Sequence, residues 1–141
     1  MTDLSKFTRI QKYNYDIALS EIKGGKKKSH WMWYIFPQVS GLGKSSNSTY
    51  YSIKSVKEAK DYIENGLLYA RLIEISNELL KLKETNIVNI FGIPDNLKLQ
   101  ASMTLFLKVS NNDVFLNVLN KYFDGKEHIE TINILKNWEN T

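Results

Sequence analysis

The stretch "PDNLKLQASMTLFLKVS", residues 94–110, decides the fold. At about 100° per residue, the side chains of Leu97, Leu99, Ala101, Met103, Leu105, Phe106 and Leu107 point to every side of a helix. A surface helix keeps one polar face, so this pattern predicts a helix enclosed by protein. Pro94 suits the first turn, where its missing N–H costs nothing. We therefore expect an all-α fold: a compact, single-domain, multi-helix bundle over residues 1–141, arranged around this one central buried helix. The polar residues of such a helix then gain meaning. Asp95, Lys98 and Ser102 recur at spacings of three and four along one face, and Thr104 points elsewhere. A charge in that setting must be paired or must meet a ligand, because uncompensated burial is costly.

Working outward, further helices are expected on both sides. In "LLYARLIEISNELLKLK" a stripe of Leu68, Leu72, Ile75, Leu79 and Leu82 is apolar, while Arg71, Glu74, Glu78 and Lys81 face water. Ahead of it, Ser55 and Glu58 form a capping-box pattern, and Gly66 closes that segment. "NIVNIFG" predicts a short helix stopped at Gly92. "DVFLNVLNKYFDG" buries Val114, Phe115, Val118, Leu119 and Tyr122, and "HIETINILKNW" buries Ile129, Ile132, Leu135 and Trp138. The first helix, Leu4 to Ile22, is capped by Asp3, carries Leu4, Phe7, Ile10, Tyr13, Ile17 and Leu19 inward, and ends at Gly24-Gly25. No sheet is expected.

Composition excludes several kinds of chemistry. With no cysteine among 141 residues, disulfides, thiolate catalysis and sulfur-ligated metals are out. No apolar run reaches the roughly 20 residues that span a bilayer, and the first residues lack the apolar core of a secretory signal. The expected location is the cytoplasm, with no membrane partner. Nineteen basic against fifteen acidic residues give a net charge of +4, a mild bias toward anionic partners.

The unusual residues concentrate in 26–51, read as a short helical turn followed by a long loop of the kind that tends to be functional. "KKKSHWMWYIFPQ" sets lysines against His30, Trp31, Trp33, Tyr34 and Phe36. Such aromatics usually fill a core, but four among six positions cannot all point one way, so some are expected to face a groove. "GLGKSS" fails as a phosphate-binding loop, since Gln38 stands where its first glycine belongs. A looser role remains, in which Gly41 and Gly43 let backbone amides approach an anion beside Lys44 and Ser45, against the alternative of a plain flexible turn. His30 and His128 are the two histidines, without metal-ligand spacing, so no metal and no cofactor is expected. His30 is the candidate acid or base, and His128 is read as a surface residue. Asp95 is the carboxylate to watch, with Asp16 and Glu21 behind it; a pairing of Asp95 with Lys98 would be its plain structural role.

Three stretches, "KKKSHWMWYIFPQVSGLGKS", "IFGIPDNLKLQASMTLF" and "IQKYNYDIALSEIKGG", resemble the bacterial domain-of-unknown-function family 1810, whose members are sometimes labelled calpastatin. The resemblance runs over nearly the whole chain and implies a compact, single-domain, mainly helical fold. The family-like positions are His30, Trp31, Trp33, Gln38, Gly41, Gly43, Asp95, Lys98, Ser102 and Thr104, and no catalytic role comes with them.

These readings converge on a pocket for an anionic, ring-bearing small molecule, a nucleotide or an ADP-ribose-derived metabolite. Trp31, Trp33 or Tyr51 would stack on the ring. Lys28, Lys44 and Lys98 would meet phosphate, and Gln38, Ser102 and Thr104 would give directional hydrogen bonds. Such a protein would sequester or sense a nucleotide signal. Two alternatives stand beside this reading: a hydrolase or glycosidase on a nucleotide-derived substrate, using His30 or Asp95, and an RNA-binding or protein-interaction module using the basic, aromatic surface.

Overall fold

The computed structural model describes residues 2–139; the expected bounds of 1–141 extend past these at both ends. Among the described residues there are nine helices and no strand. Helix α1 is Ser5–Lys23, α2 is Met32–Ile35, α3 is Ser46–Tyr50, α4 is Val56–Glu64 and α5 is Gly66–Lys81. After these come α6 (Ile87–Phe91), α7 (Asp95–Ser110), α8 (Asp113–Phe123) and α9 (Ile129–Glu139). No helix among the described residues is long and apolar enough to cross a membrane.

Helix α7 is the enclosed one. It packs against α4, α6, α8 and α9, and its six consecutive residues from Ala101 to Phe106 are all buried. Six in a row cover more than one and a half turns, so there is no solvent face along that length. Pro94 takes the cap position one residue earlier than expected, and the left-handed Asn111 ends the helix. The helix emerges at its two ends: in the first turn Leu97, expected inside, is half exposed, and in the last turn Lys108 is exposed.

Helix α1 packs on α5 and α2, and here the expected stripe is corrected. Tyr13 and Ile17 lie on the water side, while the buried face is Phe7, Gln11, Tyr15, Ala18 and Ile22. Gln11 hides that face from a hydropathy reading. It is buried because its Nε2 donates to Tyr34 O at 2.7 Å and Tyr62 Oη at 3.2 Å, so its polar atoms do not count against burial. In α9, Ile129 is likewise outside, and Thr131 and Leu135 hold the inner face.

Residues 36–55 correct the expected structureless loop. Ile53 N–H donates to Gln38 O and Ser40 N–H to Ile53 O, both at 2.8 Å, which closes a single parallel bridge between Val39 and Ile53. Between these lies α3, whose cap is Ser45: its Oγ accepts from Ser48 N–H at 3.1 Å. The segment is therefore pinned at its base and held at its tip.

Candidate functional site

The site begins with how residues 26–31 run. Lys27 N–H donates to Ile90 O at 2.8 Å, laying the non-helical residues 26–28 along α6 ahead of a bend at Ser29 and His30. Alternate residues of an extended chain face opposite ways. Lys26, Lys28 and His30 face water, whereas Lys27, Ser29 and Trp31 turn inward. Glu21, near the end of α1, fastens the inward set. Its Oε1 accepts from Lys28 N–H at 2.7 Å, Ser29 N–H at 2.9 Å and Trp31 Nε1 at 2.9 Å, and its Oε2 from Ser29 Oγ at 2.6 Å. Burial opposes its charge, but these donors together outweigh that and bring its pKa from 4.5 down to about 2.

Trp31 thus belongs to the core, 1% exposed and packed on Phe36 and Phe91. Trp33, two residues on, is half-buried, and the Lys98 ammonium sits 5.4 Å from its ring centroid. Cation–π contacts of this kind are worth about 0.5–2 kcal/mol. The Trp33 indole Nε1 is buried and has no hydrogen-bond partner. Asp95 fixes Lys98 from the other side: its Oδ1 lies 3.3 Å from Lys98 Nζ and its Oδ2 3.0 Å from Lys27 Nζ. Lys27, its side chain 8% exposed, also donates to Ser29 O at 2.6 Å. Both oxygens of Asp95 are thereby engaged by ammonium groups.

Beside this cluster opens a cleft of about 290 Å³. Its apolar lining is Val39, Leu42, Pro94 and Leu97; its polar lining is Gln38, Ser48, Lys98, His128 and Glu130, with Gly43 at the rim. Gly43 is required there, because a Cβ would come within 2.6 Å of Ser48 Oγ. Three remote segments supply the walls: residues 38–48, the first turn of α7 and the start of α9.

His128, read from the sequence as a surface residue, is the correction that matters most. It is half-buried, lines the cleft and caps α9: Thr131 N–H approaches its Nδ1 at 3.3 Å and Thr131 Oγ1 lies 2.8 Å from the same atom. Its backbone N–H donates to Thr104 Oγ1 at 2.9 Å, and Thr104 in turn donates to Gln100 O at 2.8 Å. Thr104 is fully buried and so positions His128 from the central helix, in place of the ligand contact expected of it. Burial holds the His128 imidazole below its ordinary value, with Glu130 opposing.

Of the other expected site residues, Gln38, Gly43 and Lys98 lie together in the cleft, with Asp95 against Lys98. Lys28, His30 and Lys44 are exposed and outside its lining. Gly41 is an exposed turn residue with φ 102°. Ser45 is committed to α3. Tyr51 belongs to an aromatic group with Phe7, Tyr34 and Tyr50, and borders a separate shallow depression with Lys6 and Arg9. Ser102 is fully buried and its Oγ has no partner. Among the described residues no group of three or more His, Asp or Glu side chains is placed to hold a metal ion.

Comparison with known proteins gives two matches. A family described as "Protein of unknown function (DUF1810)" matches residues 1–135. The chain is also similar to the crystal structure of the conserved hypothetical protein Rv1873 from Mycobacterium tuberculosis, with a TM-score of 0.93 and 39% sequence identity. That similarity covers 95% of this chain and 96% of the other. No curated protein matches the chain.

Proposed function

The chain belongs to the DUF1810 family, and for this member of it we propose a cytoplasmic binding protein that takes a small, nucleotide-like anion into the cleft between α7, residues 38–48 and the start of α9. The observation that carries this reading is Lys98. A lysine ammonium normally wanders in water, but this one lines the cleft, lies over the Trp33 ring and is anchored at 3.3 Å by Asp95. It is thus pre-positioned, which reduces the ordering cost of meeting an anion. Apolar walls from Val39, Leu42 and Leu97 suit a flat ring, and Gln38 and His128 supply directional hydrogen bonds. At about 290 Å³ the cleft lies at the lower limit of the ~300–1,000 Å³ usual for ligand pockets, a size that favours one nucleotide unit over a polymer.

The hydrolase reading has less support, because His30 stands outside the cleft and Asp95 is occupied by two lysines. The RNA reading weakens for a related reason: Lys27 and Trp31 turn inward, which breaks up the basic-aromatic run. A thermal-shift panel of nucleoside mono-, di- and triphosphates, cyclic dinucleotides and ADP-ribose tests the proposal, with chromatography of each recovered compound. We expect at least one to raise the melting temperature of the native protein and to lose that effect in Lys98→Met. A panel in which nothing raises it sinks the proposal, and a compound recovered chemically altered moves the reading to the hydrolase.

A further inference from the structure

The capping geometry of His128 bears on which ring nitrogen carries the proton. The Thr131 backbone N–H donates toward Nδ1 at 3.3 Å, and the Thr131 hydroxyl, which can donate or accept, lies 2.8 Å from the same atom. A hydrogen on Nδ1 would point against the Thr131 N–H, whereas a bare Nδ1 accepts from it, so this contact favours Nε2 as the protonated nitrogen. The same residue is held from behind by Thr104, which accepts its backbone N–H. Thr131 and Thr104 are both fully buried, so the ring and the backbone of His128 are each tied to an interior group. The charged groups around it are Glu130 on its own helix, Lys98 across the cleft on α7, Lys126 in the adjoining depression, and Glu127, which is paired with Lys108 at 2.6 Å.

We propose that His128 is a neutral Nε2–H donor reading an acceptor oxygen of the ligand beside the Lys98 ammonium, and that this pair selects a nucleoside monophosphate. The inference rests on the nucleotide reading of the cleft. Two features favour a single phosphate. Among the lining residues Lys98 is the one cation and Glu130 the one carboxylate. Adding the paired Lys27 and Asp95 leaves two positive and two negative charges, so a second or third phosphate meets no further cation. Glu130 itself accepts only, which suits a sugar hydroxyl or an amino group and repels an added anion.

Long-range proton–nitrogen NMR of the full chain near neutral pH reads the tautomer directly, and titrations with AMP and with ATP read the site. The expected results are an Nε2–H pattern for His128, a shift of that Nε2 signal on adding AMP, and tighter binding of AMP than of ATP. His128→Asn keeps a side chain that caps helices well, so it should melt near the wild type while binding AMP about tenfold more weakly. An Nδ1–H or averaged imidazole, an Nε2 signal that AMP leaves unmoved, ATP binding tighter than AMP, or unchanged AMP affinity in His128→Asn each overturns the proposal. If neither nucleotide binds the wild type, the nucleotide reading falls and this inference with it. The tautomer measurement then separates the two failures, since it needs no ligand.

Discussion

Glu21 offers the sharpest test of how the site is held. Its carboxylate accepts four hydrogen bonds from residues 28–31, the segment that directs Lys27 to Asp95 and Trp31 into the core. In the folded protein its pKa is about 2, against an ordinary 4.5. At about 1.36 kcal/mol per pKa unit the difference has a ceiling of ~3.4 kcal/mol. Glu21 is only partly buried, so solvent screening reduces this to about 1.5–2 kcal/mol. Glu21→Gln keeps an acceptor for the three bonds to Oε1 and loses the charge, so it should cost that amount near pH 7. Glu21→Ala removes every partner, including that of the buried Trp31 indole, and should cost about 3–4 kcal/mol. For a chain of this size that is roughly 10 °C in melting temperature. The pH dependence separates charge from mere shape. A folded pKa below the unfolded one means the unfolded chain takes the proton first, so this stability is present above about pH 4.5 and is lost as pH falls toward about 2. Urea titrations of wild type and Glu21→Gln should therefore show a gap that shrinks by more than half between roughly pH 6 and pH 3. A gap of the same size at both pH values refutes the reasoning, as does a Glu21→Gln protein as stable as the wild type at pH 7.

The two tryptophans should respond oppositely to one substitution: Trp31→Phe loses the bond to Glu21 and should cost about 1.5–3 kcal/mol, whereas Trp33→Phe removes a buried, unpartnered N–H and should be close to neutral. Chemical denaturation of both variants checks this. Gly43→Ala forces a Cβ to 2.6 Å from Ser48 Oγ, so α3 must shift; we expect a loss of about 1–2 kcal/mol by calorimetry and a weakened ligand response. Asp95→Asn leaves two ammonium groups without their shared carboxylate and should destabilise by about 2–3 kcal/mol, with Lys98 released from the cleft wall in NMR spectra of its side chain.

The fold is legible in residues 94–110, yet by a narrower margin than the helical wheel suggests. Positions 97–105 also alternate apolar and polar, which on its own is a strand pattern. Helix wins because Leu, Lys, Gln, Ala and Met are strong helix formers, Pro94 starts a turn, and the flanking segments are amphipathic helices that need a partner. In the first and last helices the helical reading errs because buried polar residues are matched by partners that hydropathy does not register. Gln11 is buried because its polar atoms are matched by Tyr34 and Tyr62, partners too far along the chain for a periodicity to register, and Thr131 because it meets His128, the residue that caps its own helix.

The site was legible in its residue types but not in its orientations. Treating "KKKSHW" as a block hides which lysine matters, and the nearest neighbours of the aromatics, Lys28 and His30, then look best placed. Outside a helix a period of two is the pattern to try, and applying it from Trp31 backwards selects Ser29 and Lys27 as the inward set. That is the set the structure buries, with Lys27 on Asp95 and Ser29 on Glu21. His128 had a comparable signal: it stands three residues before Thr131, the spacing at which a cap side chain meets a helix N–H. Histidine is not among the favoured caps, so a reading by residue preference passes over it. Its use here has a physical consequence that Asn or Ser would lack: capping consumes one ring nitrogen and leaves the other, with its proton, for a second partner. A residue serving both helix and cleft ties ligand contact to the seating of α9 on α7 through Thr104. Binding should consequently protect the backbone N–H of Thr131 and Ile132 from hydrogen exchange, and a ligand that left both rates unchanged would separate the cap from the cleft.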